Sequence, residues 1–61
     1  MTLTKPQKLW LKRMDEKGSL SVRMDKPPLR VMYELQEKGL CKNIMDTFFD
    51  ITEEGRKHLS T

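Results

Sequence analysis

The chain of 61 residues is long enough for one small domain, and its hydrophobic content of 36% is low but concentrated in periodic runs. A chain of this length buries only about 60% of its unfolded surface, so we expect a folded domain of limited stability. A single cysteine excludes an internal disulfide, and the sequence shows neither an apolar run of membrane-spanning length nor a secretory signal. The expected location is therefore the cytoplasm.

The net charge of +3 is distributed unevenly along the chain. Residues 1–30 carry eight basic and three acidic side chains, a balance of +5, whereas residues 31–61 carry four basic and six acidic side chains, a balance of −2. An anionic partner is therefore expected to bind the first half of the chain.

The first predicted element is a helix that begins after Thr4 and ends at Gly18. Thr4 and Gln7 have the spacing of a capping box, and Pro6 stands in the first turn, where no backbone donor is needed. The predicted core face consists of Gln7, Trp10, Leu11 and Met14. Another face carries Lys5, Lys8, Lys12 and Asp15. Leu9 falls outside the apolar face.

Residues 19–23 alternate polar and apolar side chains, which predicts a short strand that buries Leu20 and Val22. The motif Asp25-Lys26-Pro27-Pro28 ends this strand, and the next helix is predicted to begin at Pro28. Gly39 ends that helix. Its predicted apolar face consists of Leu29, Met32, Leu35 and Gln36.

Residues 40–45 and 48–51 predict two strands that are joined near Asp46 and Thr47. Alternation along the second strand places Phe49 and Ile51 inward and its other two residues, Phe48 and Asp50, outward.

Thr52 is predicted to cap the last helix, in which Leu59 is the main core contact. The predicted order of elements is therefore α-β-α-β-β-α, in one domain over residues 1–61.

Three segments of the chain resemble the winged-helix domains of small bacterial or phage regulators. Thr4-x-x-Gln7-x-x-Trp10-Leu11-x-x-Met14 is similar to their opening helix, and Leu35-x-x-Lys38-Gly39-Leu40 to the end of their recognition helix. Phe49-x-Ile51-Thr52-x-x-Gly55-Arg56-x-x-Leu59 is similar to their second wing strand and closing helix. Residues 19–27 leave no room for the second helix of a complete helix-turn-helix. The resemblance implies a reduced winged helix, an α+β fold with a small antiparallel sheet.

The first functional hypothesis is a small regulatory protein that binds double-stranded DNA, as the resemblance implies. Arg23, Lys26 and Arg30, here called the turn cluster, are the first candidates for phosphate contacts, because they surround the positive N-terminus of the second helix. Lys5, Lys8 and Lys12, here called the lysine stripe, are the second candidates. A lysine stripe on a first helix is more often an ordinary solvated helix face.

The second hypothesis is a protein-interaction module, which modulates a larger host or bacterial protein by binding an acidic surface and does not read DNA. The predicted solvent face of the second helix mixes charges, with Arg30, Glu34, Glu37 and Lys38. Acidic side chains there would be repelled by phosphates, and i, i+4 ion pairs on a solvated face are their simpler explanation. Asp46 likewise makes the predicted wing acidic. Leu9 and Phe48 are candidate contacts for a homodimer or another partner.

Neither catalysis nor a metal or other cofactor is predicted. His58 and Cys41 are the only residues of their types, so the usual zinc ligand sets cannot be assembled. Cys41 is expected to be a small strand residue rather than a nucleophile.

Overall fold

A computed structural model of the chain describes residues 2–60. Within that range lie three helices and three strands: α1 (Lys5–Lys17), β1 (Ser19–Ser21), α2 (Leu29–Glu37), β2 (Cys41–Ile44), β3 (Phe48–Ile51) and α3 (Glu53–Ser60). The strands form one antiparallel sheet in the order β1-β3-β2. The predicted α+β class and the predicted order of elements are confirmed.

Hydrogen bonds close both ends of α1. At its start, the Thr4 amide donates to Oε1 of Gln7 over 3.0 Å and the Gln7 amide donates to Oγ1 of Thr4 over 3.3 Å, which forms the predicted capping box. At its end, Gly18 has a φ of +86°, and its amide donates to the Met14 carbonyl oxygen over 2.8 Å. This left-handed conformation is the reason that glycine ends the helix.

The inward face of α1 is narrower than predicted. Gln7, Leu11 and Met14 are buried, whereas Trp10 is half-buried and packs at the edge of the core. The buried residues follow the i, i+4, i+7 row of a helix, and Trp10 lies outside that row. Its ring instead carries the Arg13 guanidinium, 4.9 Å from the ring centroid, in a cation–π contact.

The sheet has one covered face and one open face. The helices pack on the face that buries Phe49 and Ile51, as alternation predicted. The neighbouring residue of β3, Phe48, lies on the open face between Ser21 of β1 and Ile44 of β2. It is 42% exposed.

The helix α3 approaches the core through a glycine. A Cβ on Gly55 would lie 2.3 Å from the Leu40 carbonyl oxygen and 2.7 Å from Cγ1 of Ile51, so a larger residue requires displacement of the backbone. Thr52 caps this helix as predicted, since its Oγ1 accepts the Gly55 amide over 3.1 Å. Leu59 packs against the core as predicted but is only half-buried, and the closest approach of α3 occurs one turn earlier, at Gly55.

Other predicted positions differ in detail. Val22 lies in the turn that follows β1 and is half-buried. Leu40 precedes β2, because its amide donates to the Leu35 carbonyl oxygen over 3.0 Å and so completes the end of α2. Leu29 and Gln36, predicted on the apolar face of α2, are exposed. The buried core contains Leu11, Met14, Leu20, Met32, Leu35, Leu40, Cys41, Phe49 and Ile51.

Candidate nucleic-acid interface

A compact turn leads from β1 to α2 and carries two members of the turn cluster. The Ser21 amide donates to the Asp25 carboxylate over 2.8 Å, and the Asp25 amide donates back to the Ser21 carbonyl oxygen over 2.9 Å. The Lys17 ammonium also binds this carboxylate. The hydrogen bond from Lys17, together with that from the Ser21 amide, lowers the pKa of Asp25 below its ordinary value. Arg23 and Lys26 are both exposed on this turn.

The turn cluster retains most of its positive charge. Asp25 is occupied by Lys17, and within residues 2–60 neither Arg23 nor Lys26 has an ion-pair partner. The side chain of Arg30 is 91% exposed, and its Nε lies 4.0 Å from Oε2 of Glu34. A contact that long and that exposed contributes only about 0–1 kcal/mol, so Arg30 remains available to an anion.

The start of α2 adds to the same positive region. Pro28 stands at the N-cap and supplies no side-chain hydrogen bond, and the first turn contains no acidic residue. The free backbone N–H groups therefore carry the partial positive charge of the helix end without local compensation.

The lysine stripe lies on a different side of the molecule. Lys8 and Lys12 line a groove of about 570 Å³ between α1 and α3, together with Leu9, Asp15, Glu16, His58 and Leu59. Lys8 and Lys17 are nine residues apart in α1, which is about two and a half helical turns, so they point in opposite directions. Lys17 contacts the turn that carries Arg23 and Lys26. The six predicted nucleic-acid contacts therefore belong to two separate surfaces.

The exposed surface of α2 carries charges of both signs, as predicted, but Glu34 has a second role. The Glu34 side chain is 42% exposed, and its Oε1 also accepts a hydrogen bond over 3.1 Å from Nε2 of Gln7, which is buried. Glu34 therefore joins α2 to α1. Lys38 follows the end of the helix. Arg30 and Glu37 are the two charged residues of this predicted set that lie within α2 and are exposed.

The tip of the β2–β3 hairpin presents an acid. Met45 and Asp46 have φ values of +52° and +56°, and the Thr47 amide donates to the Ile44 carbonyl oxygen over 2.9 Å, as in a type I′ turn. The Asn43 side chain accepts the Asp46 amide over 2.7 Å and donates to its carboxylate over 3.2 Å. A negatively charged tip is unfavourable for entry into a DNA groove.

The two predicted apolar contacts also lie on separate surfaces. Leu9 lines the groove between α1 and α3, and Phe48 lies on the open face of the sheet. The prediction missed Met24 and Met45, which are 84% and 89% exposed. The sequence feature that could have revealed them is an apolar residue at a turn position, where polar residues and glycine are usual.

Cys41 has the surroundings of a structural residue. Its thiol is buried and donates to the Met32 carbonyl oxygen over 3.5 Å. Burial raises the pKa of Cys41 to about 11, so the reactive thiolate is scarce near neutral pH. In the range 2–60, no set of three or more His, Cys, Asp and Glu side chains is arranged to bind a metal ion. None of the helices described is both long and apolar enough to cross a membrane.

Comparison with protein-family models gives no match, and comparisons with curated proteins and with solved structures give none either.

Proposed function

We propose that this chain is a small regulatory protein that binds double-stranded DNA, with a reduced winged-helix fold. The observation that carries the proposal is the turn cluster. Arg23 and Lys26 are exposed and unpaired within the described range, and Arg30 follows them on α2, whose N-terminus is uncapped. Three cations and a positive helix end in one region favour the phosphate backbone.

Binding of this kind depends on charge more than on base sequence. Arg30 is the member of the turn cluster that stands on α2, and Glu37, two turns later on the same face, would face the phosphates unfavourably. Three phosphate contacts give a slope of about −2.7 for the logarithm of affinity against the logarithm of salt concentration. Affinity for duplex DNA should thus fall roughly 20-fold between about 50 and 150 mM salt.

Two triple variants with the same loss of charge test the proposal. In the first, Arg23, Lys26 and Arg30 are replaced by Gln; in the second, Lys5, Lys8 and Lys12 are replaced by Gln. Fluorescence anisotropy with a labelled duplex should show that the first variant loses most of its affinity and most of the salt slope. The second variant should lose less than about threefold, through long-range electrostatics alone. Equal losses in the two variants would contradict a defined site.

A second candidate is the protein-interaction module on the same scaffold. The observation that favours it is an exposed acidic side chain on each of the two elements that a winged helix uses to read DNA, Glu37 on α2 and Asp46 at the hairpin tip. In this alternative, the turn cluster binds carboxylates of a partner protein. Pull-down from a nuclease-treated bacterial lysate distinguishes the candidates, because a protein retained by the wild-type chain and lost with the triple turn variant would support this one.

A further inference from the structure

One end of the sheet exposes a group of large apolar side chains, here called the hairpin end. It consists of Met24, Met45 and Phe48, which are exposed, and of Ile44, which is half-buried. Two turns meet there, because the Val22 amide after β1 donates to the Thr47 carbonyl oxygen of the β2–β3 hairpin over 2.9 Å. Each turn presents one methionine that is more than four-fifths exposed.

The residue type at Met45 is not explained by the folding of one copy. Its φ of +52° is the one that the type I′ turn requires, and glycine, asparagine and aspartate are the usual residues at that position. The side chain is 89% exposed, so it gains almost no burial in return. An apolar side chain that is almost fully exposed, at a turn position where polar residues and glycine are usual, indicates a contact outside the monomer.

The charges around the hairpin end are complementary to one another. The turn that carries Met24 also carries Arg23 and Lys26, which are without ion-pair partners among residues 2–60. The turn that carries Met45 has Asp46, whose carboxylate accepts only the Asn43 amide within the same range. Positive and negative turns thus stand side by side on one surface. A two-fold axis between them, normal to the sheet, places each turn against the opposite turn of a second copy.

We propose that the hairpin end binds the hairpin end of a second copy of this chain. Met24 of each copy packs against Met45 of the other, and Arg23 pairs with Asp46 twice by symmetry. Phe48 and Ile44 lie beside this contact, where the open face of the sheet meets the turns. An anionic membrane is a poorer occupant, because Asp46 stands at the tip that would insert.

The size of the surface predicts a weak dimer. A standard interface buries about 800 Å² on each partner. That is close to a fifth of the 4430 Å² surface of the chain, and two turns at one end of a three-stranded sheet supply less. Self-association should therefore require high protein concentrations. Because Arg23 also belongs to the turn cluster, duplex DNA would compete with the dimer, but the dimer itself does not depend on DNA binding.

Charge reversal of the full chain, in the absence of DNA, tests the proposal by sedimentation equilibrium. R23D and D46R should each weaken self-association roughly tenfold, because two symmetric ion pairs become repulsions. The double variant R23D/D46R exchanges the charges within each ion pair and should restore self-association. An equimolar mixture of the two single variants should also restore it, because opposite charges face each other in the mixed dimer. Failure of both to restore association, or a wild-type chain that is monomeric at millimolar concentration, would overturn the proposal.

A second pair of variants separates folding from association. M45N removes the apolar side chain but suits a positive φ, so it should raise the thermal midpoint at low concentration while weakening self-association by about fivefold. L9N removes a half-exposed apolar residue from the groove between α1 and α3 and should leave self-association unchanged. An equal effect of both variants would show that the contact lies elsewhere.

Discussion

Substitution of Gly55 by Ala should destabilise the protein, although alanine is the better helix former. The new Cβ would lie 2.3 Å from the Leu40 carbonyl oxygen, whereas carbon and carbonyl oxygen normally approach to about 3.3 Å. The helix α3 must therefore move by about 1 Å, because the obstacle is backbone and cannot rotate away. Overpacking of this kind costs about 1–3 kcal/mol, and the upper part of that range applies to a rigid neighbour.

The helix propensity of alanine and the total stability of the domain determine the expected result. Alanine gains about 1 kcal/mol over glycine in a helix interior, which leaves a net destabilisation of about 2 kcal/mol. A domain of this size has only about 3–5 kcal/mol of stability, and each kcal/mol shifts its thermal midpoint by about 4–8 °C. Circular dichroism at the helix wavelength should thus show a midpoint lower by roughly 10 °C.

The matched control is Lys57→Ala, which lies in the same helix on an exposed position. It should change the free energy of unfolding by less than about 0.5 kcal/mol. If Gly55→Ala were as stable as this control, the close packing of α3 on the Leu40 backbone would be refuted.

The other predictions concern single interactions. Gln7→Ala removes the reciprocal half of the capping box and the hydrogen bond to Glu34, so chemical denaturation should show a loss of about 1–2 kcal/mol; an unchanged midpoint would contradict the role of Gln7. The folded-state pKa of Asp25 is lowered from 3.8, so its contribution is present above that pH and is lost as the pH falls further. Asp25→Asn should accordingly flatten the acid side of the stability–pH curve. An unaltered curve would show that the Asp25 carboxylate does not contribute to the loss of stability in acid. Cys41 should react with a thiol reagent only at the rate of unfolding, and fast modification under native conditions would refute its burial.

Local patterns predicted much of the fold. The spacing of Thr4 and Gln7 identified the start of α1, and Gly18 and Gly39 identified the ends of two helices, because each is a local backbone requirement. Alternation along β3 assigned Phe48 and Phe49 to the correct faces. These predictions succeeded because they depend on neighbours within a few residues.

Features that depend on tertiary contacts were not predictable in the same way. Glu34 seemed suited to solvent in a helical wheel of α2, and only the packing of α1 against α2 brings Gln7 within 3.1 Å of it. The separation of the turn cluster from the lysine stripe likewise depends on which side of α1 faces the turn, through the Lys17–Asp25 contact. Met24 and Met45 lie on two turns that meet at one end of the sheet. These turns are distant in the sequence, and they become neighbours only because β1 pairs with β3.

The central claim is that the turn cluster and the start of α2 bind duplex DNA. A titration of the isotope-labelled chain with a duplex, followed by backbone amide NMR shifts at about 50 and 150 mM salt, tests this most directly. The largest shifts should fall within residues 23–33 and should require roughly 20-fold more DNA at the higher salt concentration. Shifts confined to the groove between α1 and α3, or an absence of shifts in residues 23–33 at the lower salt concentration, would contradict it.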